Sequence, residues 1–298
     1  MLGRTEMTAP GIPREQHVLL GIGFMMLAAT ILPVMNGIVQ WLNLRYAPEQ
    51  VIWARITGHL MIMLVLMLPR SGLRVLATKR LGLQIGRSIC QVVSTGFYFT
   101  ALISLSLAKA AAVGFVAPFI VALLAWPLLG ERVQMRRMLA IGVAFAGVLV
   151  VIRPGGESFQ PASLLILGSA ALNAVYQVLT RMVAPHDRVE TSVLWSALLG
   201  GVVLTLLTPL FWTTPRGLLD ALAFLSLGAL GAAGHYCIAR AFGLGPAAVI
   251  APFHYWQIFS ATVMGVLLTG LWPEVTTWAG AAIIVGAGIF LAIQEGRR

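Results

Sequence analysis

Nearly all of this chain consists of apolar runs about as long as a membrane crossing, separated by short polar breaks. The runs fall at 18–42, 51–69, 81–105, 110–130, 138–152, 162–183, 191–212, 220–242, 246–268 and 277–294. A spanning helix needs roughly 20 mostly apolar residues. The expected fold class is therefore all-α integral membrane, with ten transmembrane helices. Composition excludes a water-soluble globule: 59% of residues are hydrophobic and 10% charged, against about 25% charged in a soluble domain. Ten crossings and their loops use up the 298 residues, leaving no length for a soluble catalytic domain. The breaks carry turn residues, among them Pro48, Pro69-Arg70-Ser71-Gly72, Pro154-Gly155-Gly156, Pro185 and Pro215.

The formal net charge is +10. A nucleic-acid partner is not the reading, because the basic residues sit in breaks between spans, where they orient helices. Of the twenty Lys and Arg residues, Arg55 and Arg87 lie within spans. With the N-terminus placed in the cytoplasm, Arg45, Lys109, Arg153 and Arg216 fall outside and the other fourteen inside. This asymmetry predicts an even number of spans, both termini cytoplasmic, in a bacterial inner membrane. The polar N-terminal tail leads into a long first span, read as a retained helix and not a cleaved signal. Cys90 and Cys237 lie inside apolar segments and imply no disulfide framework.

The chain repeats itself. Asn36-Gly-Ile-Val-Gln40 matches Asn173-Ala-Val-Tyr-Gln177, and Val51-Ile-Trp-Ala54 with Gly58 matches Val193-Leu-Trp-Ser196 with Gly200. Tyr98 and Ala101 match Tyr236 and Ala239. Ala111-Ala-Val113 followed by Ala117-Pro-Phe119 matches Ala247-Ala-Val249 followed by Ala251-Pro-Phe253. The offsets stay between 134 and 142 residues, so the halves are expected at 1–155 and 156–298. Five spans per half is odd, so the halves must lie in opposite orientation. Inverted repeats characterise secondary transporters, whose sites lie near mid-membrane where the repeats meet.

These segments, together with Phe97-Tyr-Phe-Thr-Ala-Leu102, Gly130-Glu131 and Gly265, resemble the two EamA repeats of the drug/metabolite transporter superfamily. The resemblance covers nearly the whole chain and is carried by motif order and spacing. One departure is that Gly130-Glu131 meets Gly270-Leu-Trp-Pro-Glu274 in the second half, with no acid in the matching place. The resemblance implies ten helices, cytoplasmic termini and a central cavity worked by alternating access. It is nearest the YddG-type amino-acid exporters, which implies export of neutral, hydrophobic or aromatic amino acids or similar small metabolites.

Polar residues inside apolar spans face a cavity or another helix. Arg87, Gln91, Ser94 and Tyr98 are spaced 4, 3 and 4 residues apart, a stripe about 16 Å long on one helical face. It reads as cavity lining, since an intramembrane Arg calls for water or an anion, with interhelical hydrogen bonding as the alternative. Asn173, Tyr176 and Gln177 share a face in the sixth span with Ser169 and Thr180, and Asn36 holds the repeat-related place in the first. The asparagines read equally as cavity lining or as helix–helix ties. His59, His254, Tyr236 and Trp256 complete the expected path. Tyr98, Tyr176, Trp195, Tyr236 and Trp256 are candidate apolar walls, packing being the alternative for Trp256. Pro118 and Pro252 lie in matching spans and read as gate hinges or as static kinks. Trp41, Trp212, Trp272 and Trp278 sit where interface anchors belong.

His59, His235 and His254 are scattered over three spans without a metal-binding spacing, and no nucleotide-binding fingerprint is present. Neither a metal nor a cofactor is expected, and neither an ATP-driven pump nor an intramembrane enzyme fits. The acidic residues all fall in tails, loops or span ends. Export of lipophilic cations therefore lacks its buried carboxylate, and facilitated diffusion is expected. The expected partners are a small-molecule substrate and the lipid bilayer; oligomeric state is left open.

Overall fold

The computed structural model describes residues 14–129, 135–156 and 159–296, and their regular structure is helical throughout. Gly130-Glu131 lies outside the described residues. The helices are α1 (Arg14–Asn43), α2 (Pro48–Ser71), α3 (Leu81–Ala101), α4 (Leu107–Gly114), α5 (Ala117–Leu129) and α6 (Met135–Ile152). The second half has α7 (Ala162–Val183), α8 (Val189–Leu207), α9 (Leu218–Leu244), α10 (Ala247–Ile250), α11 (Trp256–Thr269) and α12 (Val275–Gly296). These make ten passes, because α4–α5 and α10–α11 are each one interrupted crossing. Among the described residues, eight stretches are long and apolar enough to span by themselves. The other two passes are α3, made less apolar by its polar stripe, and the crossing that contains the short α11.

The two interruptions occur at the repeated prolines. Pro118 is the second residue of α5, and Pro252 lies in a 3-10 turn, Ala251–Tyr255, between α10 and α11. Proline has no N–H to donate, so the ladder gives way there and the helix restarts. Both prolines therefore mark true breaks and not kinks within continuous helices. Across them Phe115 packs on His254 and Tyr255, with ring centroids 5.4 and 4.9 Å apart.

Contacts between the halves come in pairs that exchange under the repeat. The packing of α1 on α9 corresponds to that of α7 on α3, α1 on α11 to α7 on α5, and α2 on α9 to α8 on α3. The contacts α2–α8, α4–α11 and α6–α12 pair equivalent passes. Glycines set the closest crossings. A Cβ on Gly228 of α9 would lie 2.5 Å from the Gly58 carbonyl carbon of α2, and one on Gly280 would lie 2.6 Å from the Gly147 oxygen. Without side chains at these points the backbones touch, as small residues permit in membrane bundles.

Candidate functional site

The α2–α9 crossing determines what lies beside it. Arg55 is one turn before Gly58 and His59 directly follows it, so both project next to α9. One Arg55 terminal nitrogen, Nη2, stands 3.4 Å from His235 Nε2, and the other, Nη1, donates to Thr95 Oγ1 at 3.5 Å. Arg55 Nε is buried without a partner. The His59 and His235 rings meet edge to face, centroids 6.1 Å apart. Gln91 donates to Thr95 at 3.5 Å, and Asn36 donates to the Tyr98 hydroxyl at 3.5 Å. Four passes, α1, α2, α3 and α9, thus contribute polar groups from both halves to one mid-depth cluster. His235 keeps accessible surface while it stands beside Arg55 and His59. His254, at the second helix break, buries an Nε2 that has no partner.

The α3 stripe is divided between two tasks. Gln91 and Tyr98 belong to the cluster. Arg87 is 1% exposed and is taken up by packing. It donates to Thr180 Oγ1 at 2.9 Å, Gln84 Oε1 at 2.6 Å, the Ser192 carbonyl at 3.2 Å and the Tyr176 hydroxyl at 3.3 Å. Its guanidinium also lies over the Tyr176 ring, 4.9 Å from the centroid. The expectation that Arg87 calls for water or an anion is corrected: neutral acceptors on α3, α7 and α8 satisfy it. Ser94 is likewise a tie, exchanging hydrogen bonds with Ser169 of α7 at 2.8–3.0 Å.

The remaining candidates are dispersed. Asn173 and Gln177 make no side-chain hydrogen bond among the described residues; Asn173 is half-buried and Gln177 exposed. Tyr236 follows His235 in sequence but lies about 100° further round the helix and is 61% exposed. Trp256 donates to Thr30 Oγ1 at 3.2 Å and lines an apolar groove between α1 and α11 with Val34, Phe259 and Val263, away from Arg55. Trp195 donates to the Leu76 carbonyl at 3.1 Å and serves as a loop anchor. Arg55, Thr95 and His235 were missing from the expected path. The signal for Arg55 was present, since it is a charged residue within a span, one turn from His59.

Polar ties fasten both ends of the bundle. At one end Asp220, at the start of α9, accepts from the Tyr46 hydroxyl and from Arg45 Nη1 at 3.2 Å. At the other, Asp187 between α7 and α8 accepts from the Thr78 hydroxyl, the Lys79 N–H at 2.8 Å and Gln84 Nε2 at 2.8 Å. Each tie joins the loop after the first pass of one half to the start of the third pass of the other. Loss of water around Asp187 opposes its charge, but those three donors and the nearby His186 outweigh this and hold its carboxyl below the usual carboxylate range.

The EamA-like transporter family matches residues 18–153 and again 160–293. A riboflavin transporter of Brucella anthropi is 28% identical over 286 residues, covering 91% of this chain and 98% of that protein. A riboflavin transporter of Vibrio cholerae is 25% identical over 95% of this chain and 96% of its own length. An S-adenosylmethionine uptake transporter of Rickettsia conorii is 23% identical over 93% of this chain and 94% of its own. A crystal structure of a protein 20% identical in sequence shares the fold, with TM-score 0.61 over 94% of this chain and 99% of that one.

Proposed function

This chain belongs to the EamA-like transporter family, and we propose that it carries a small metabolite built on a fused nitrogen heterocycle, of the riboflavin or S-adenosylmethionine kind, through the mid-depth cluster by alternating access. One observation carries the choice of site: Arg55 and His235, from opposite halves, meet where α2 crosses α9. A site shared by two inverted repeats is reached from either face when the repeats rock against each other. Polar groups for ring nitrogens and hydroxyls stand there in Asn36, Gln91, Thr95 and Tyr98, and the aromatic ring of Phe99 lies beside Arg55, 5.8 Å from its guanidinium carbon. The substrate class rests on relatives named for riboflavin and S-adenosylmethionine that align over nearly their full length. It replaces amino-acid export as the leading reading. Direction of flux follows the gradient, so the same path serves uptake or export. The basic residues support cytoplasmic termini in a bacterial inner membrane.

The test is uptake into proteoliposomes of purified protein. Labelled riboflavin, S-adenosylmethionine and a set of neutral and aromatic amino acids are compared at equal concentration. Saturable uptake of a heterocyclic compound, lowered by Gln91→Ala or Tyr98→Phe, is the expected result. Transport of amino acids alone would overturn the substrate class and return the reading to amino-acid export.

A further inference from the structure

Resting on the site just described, we infer that Arg55 is a docking point for an anionic group, a carboxylate or phosphate, on the transported molecule. A guanidinium carries five N–H donors and stays charged at any physiological pH. At Arg55 those donors find two long contacts, 3.5 Å to Thr95 and 3.4 Å to His235, and Nε finds none. No carboxylate pairs with it among the described residues. The side chains around it, Thr95, His235, His59 and the Phe99 ring, include no acid. Arg87 shows the opposite arrangement on the neighbouring helix: it is also intramembrane but makes four hydrogen bonds, the shortest 2.6 Å. Its cation is fully engaged by the fold, whereas that of Arg55 is held in place and left underused.

A lone cation at mid-depth is costly unless something pairs with it. The planar fork of Arg matches the two oxygens of a carboxylate or phosphate. His235 stands beside the same guanidinium, 3.4 Å away, and brings the other half of the molecule to the edge of this position. An anion seated there touches both repeats at once, so its binding favours states in which α2 and α9 stay crossed. The preferred substrate is accordingly the acidic form of the heterocycle, not its neutral counterpart.

Matched probe pairs test this on purified wild-type protein in a neutral maltoside detergent, free of added lipid. Flavin fluorescence gives the affinities of riboflavin 5′-phosphate and riboflavin. Thermal shift compares benzoate with benzamide, which lack a nitrogen ring. Riboflavin 5′-phosphate is expected to bind at least about tenfold tighter than riboflavin, equivalent to about 1.4 kcal/mol. Arg55→Gln should abolish the difference and Arg55→Lys should keep part of it. Benzoate stabilising the protein more than benzamide, in an Arg55-dependent way, while neither flavin binds, upholds the anion site and rejects the heterocycle reading. Equal binding of both members of each pair overturns the inference, as does no binding of any anion. Discrimination that survives Arg55→Gln in a monodisperse variant also overturns it.

Discussion

Arg55 Nη2 and His235 Nε2 stand 3.4 Å apart across the α2–α9 crossing, the point where a charged side chain of one half meets a ring nitrogen of the other. Arginine only donates, so a hydrogen bond between the two requires an unprotonated His235 Nε2. The contact depends on Gly58 and Gly228, because no other residues let these backbones come so close.

The two intramembrane arginines should part company on mutation. Arg87→Met leaves Gln84, Thr180 and the Ser192 carbonyl short of a donor in a buried seam. Its expected cost is about 1.5–3 kcal/mol of stability, read as a lower melting temperature of the detergent-solubilised protein. Arg55→Gln removes a poorly partnered cation and should leave the melting temperature unchanged or raised, while transport falls. A drop in melting temperature for Arg55→Gln as large as that for Arg87→Met would mark Arg55 as structural.

Gly228→Ala should lower stability by about 1–3 kcal/mol, since the new methyl meets backbone that cannot rotate away. Gly23→Ala is the control. Nothing lies within 4 Å of a Cβ there, and replacing a helical glycine by alanine gains about 0.5–1 kcal/mol. Melting curves of the two variants should therefore shift in opposite directions.

Acid should loosen the Asp187 tie. Its carboxyl is held below the ordinary value of 3.8 in the folded protein. A depressed folded pKa means that the charged form contributes stability at pH above the unfolded value, and that this contribution is lost as pH falls through the folded one. Wild-type protein should lose melting temperature below about pH 4. Asp187→Asn should start lower at pH 7 and show a shallower acid decline. Parallel curves for the two proteins would remove Asp187 from the acid response.

Transport should not be driven by ion gradients. Among the described residues no carboxylate lies at mid-depth: Glu15, Glu49, Glu190 and Asp220 lie in the first turns of helices, Glu295 in the last turn of α12, and Asp187 and Glu274 between helices. A coupled carrier commonly needs such a group to bind its cation within the membrane. With equal substrate on both sides of a proteoliposome, an imposed proton or sodium gradient should produce no accumulation. Accumulation abolished by His59→Gln or His235→Gln would instead assign coupling to the paired histidines.

How far the sequence reaches differs from residue to residue. Pro118 and Pro252 were visible because proline acts on its own helix, and both lie at helix breaks. Spacing placed Arg87 and Tyr98 on one face of α3 but could not say which neighbour each one meets. In the fold, Arg87 turns to the α7–α8 seam and Tyr98 to Asn36.

The ten crossings and the doubled, inverted architecture were determined by sequence alone, because they follow from local hydropathy and from self-similarity along the chain. Tertiary structure alone decided that Arg55, and not Arg87, is the underused cation. That choice depends on whether acceptors from other helices come within hydrogen-bonding distance, and residues 93 positions apart, such as Arg87 and Thr180, become neighbours only when α3 packs on α7. The same holds for His235, which lies beside Arg55 because two glycines, 170 positions apart in the chain, let α2 and α9 touch.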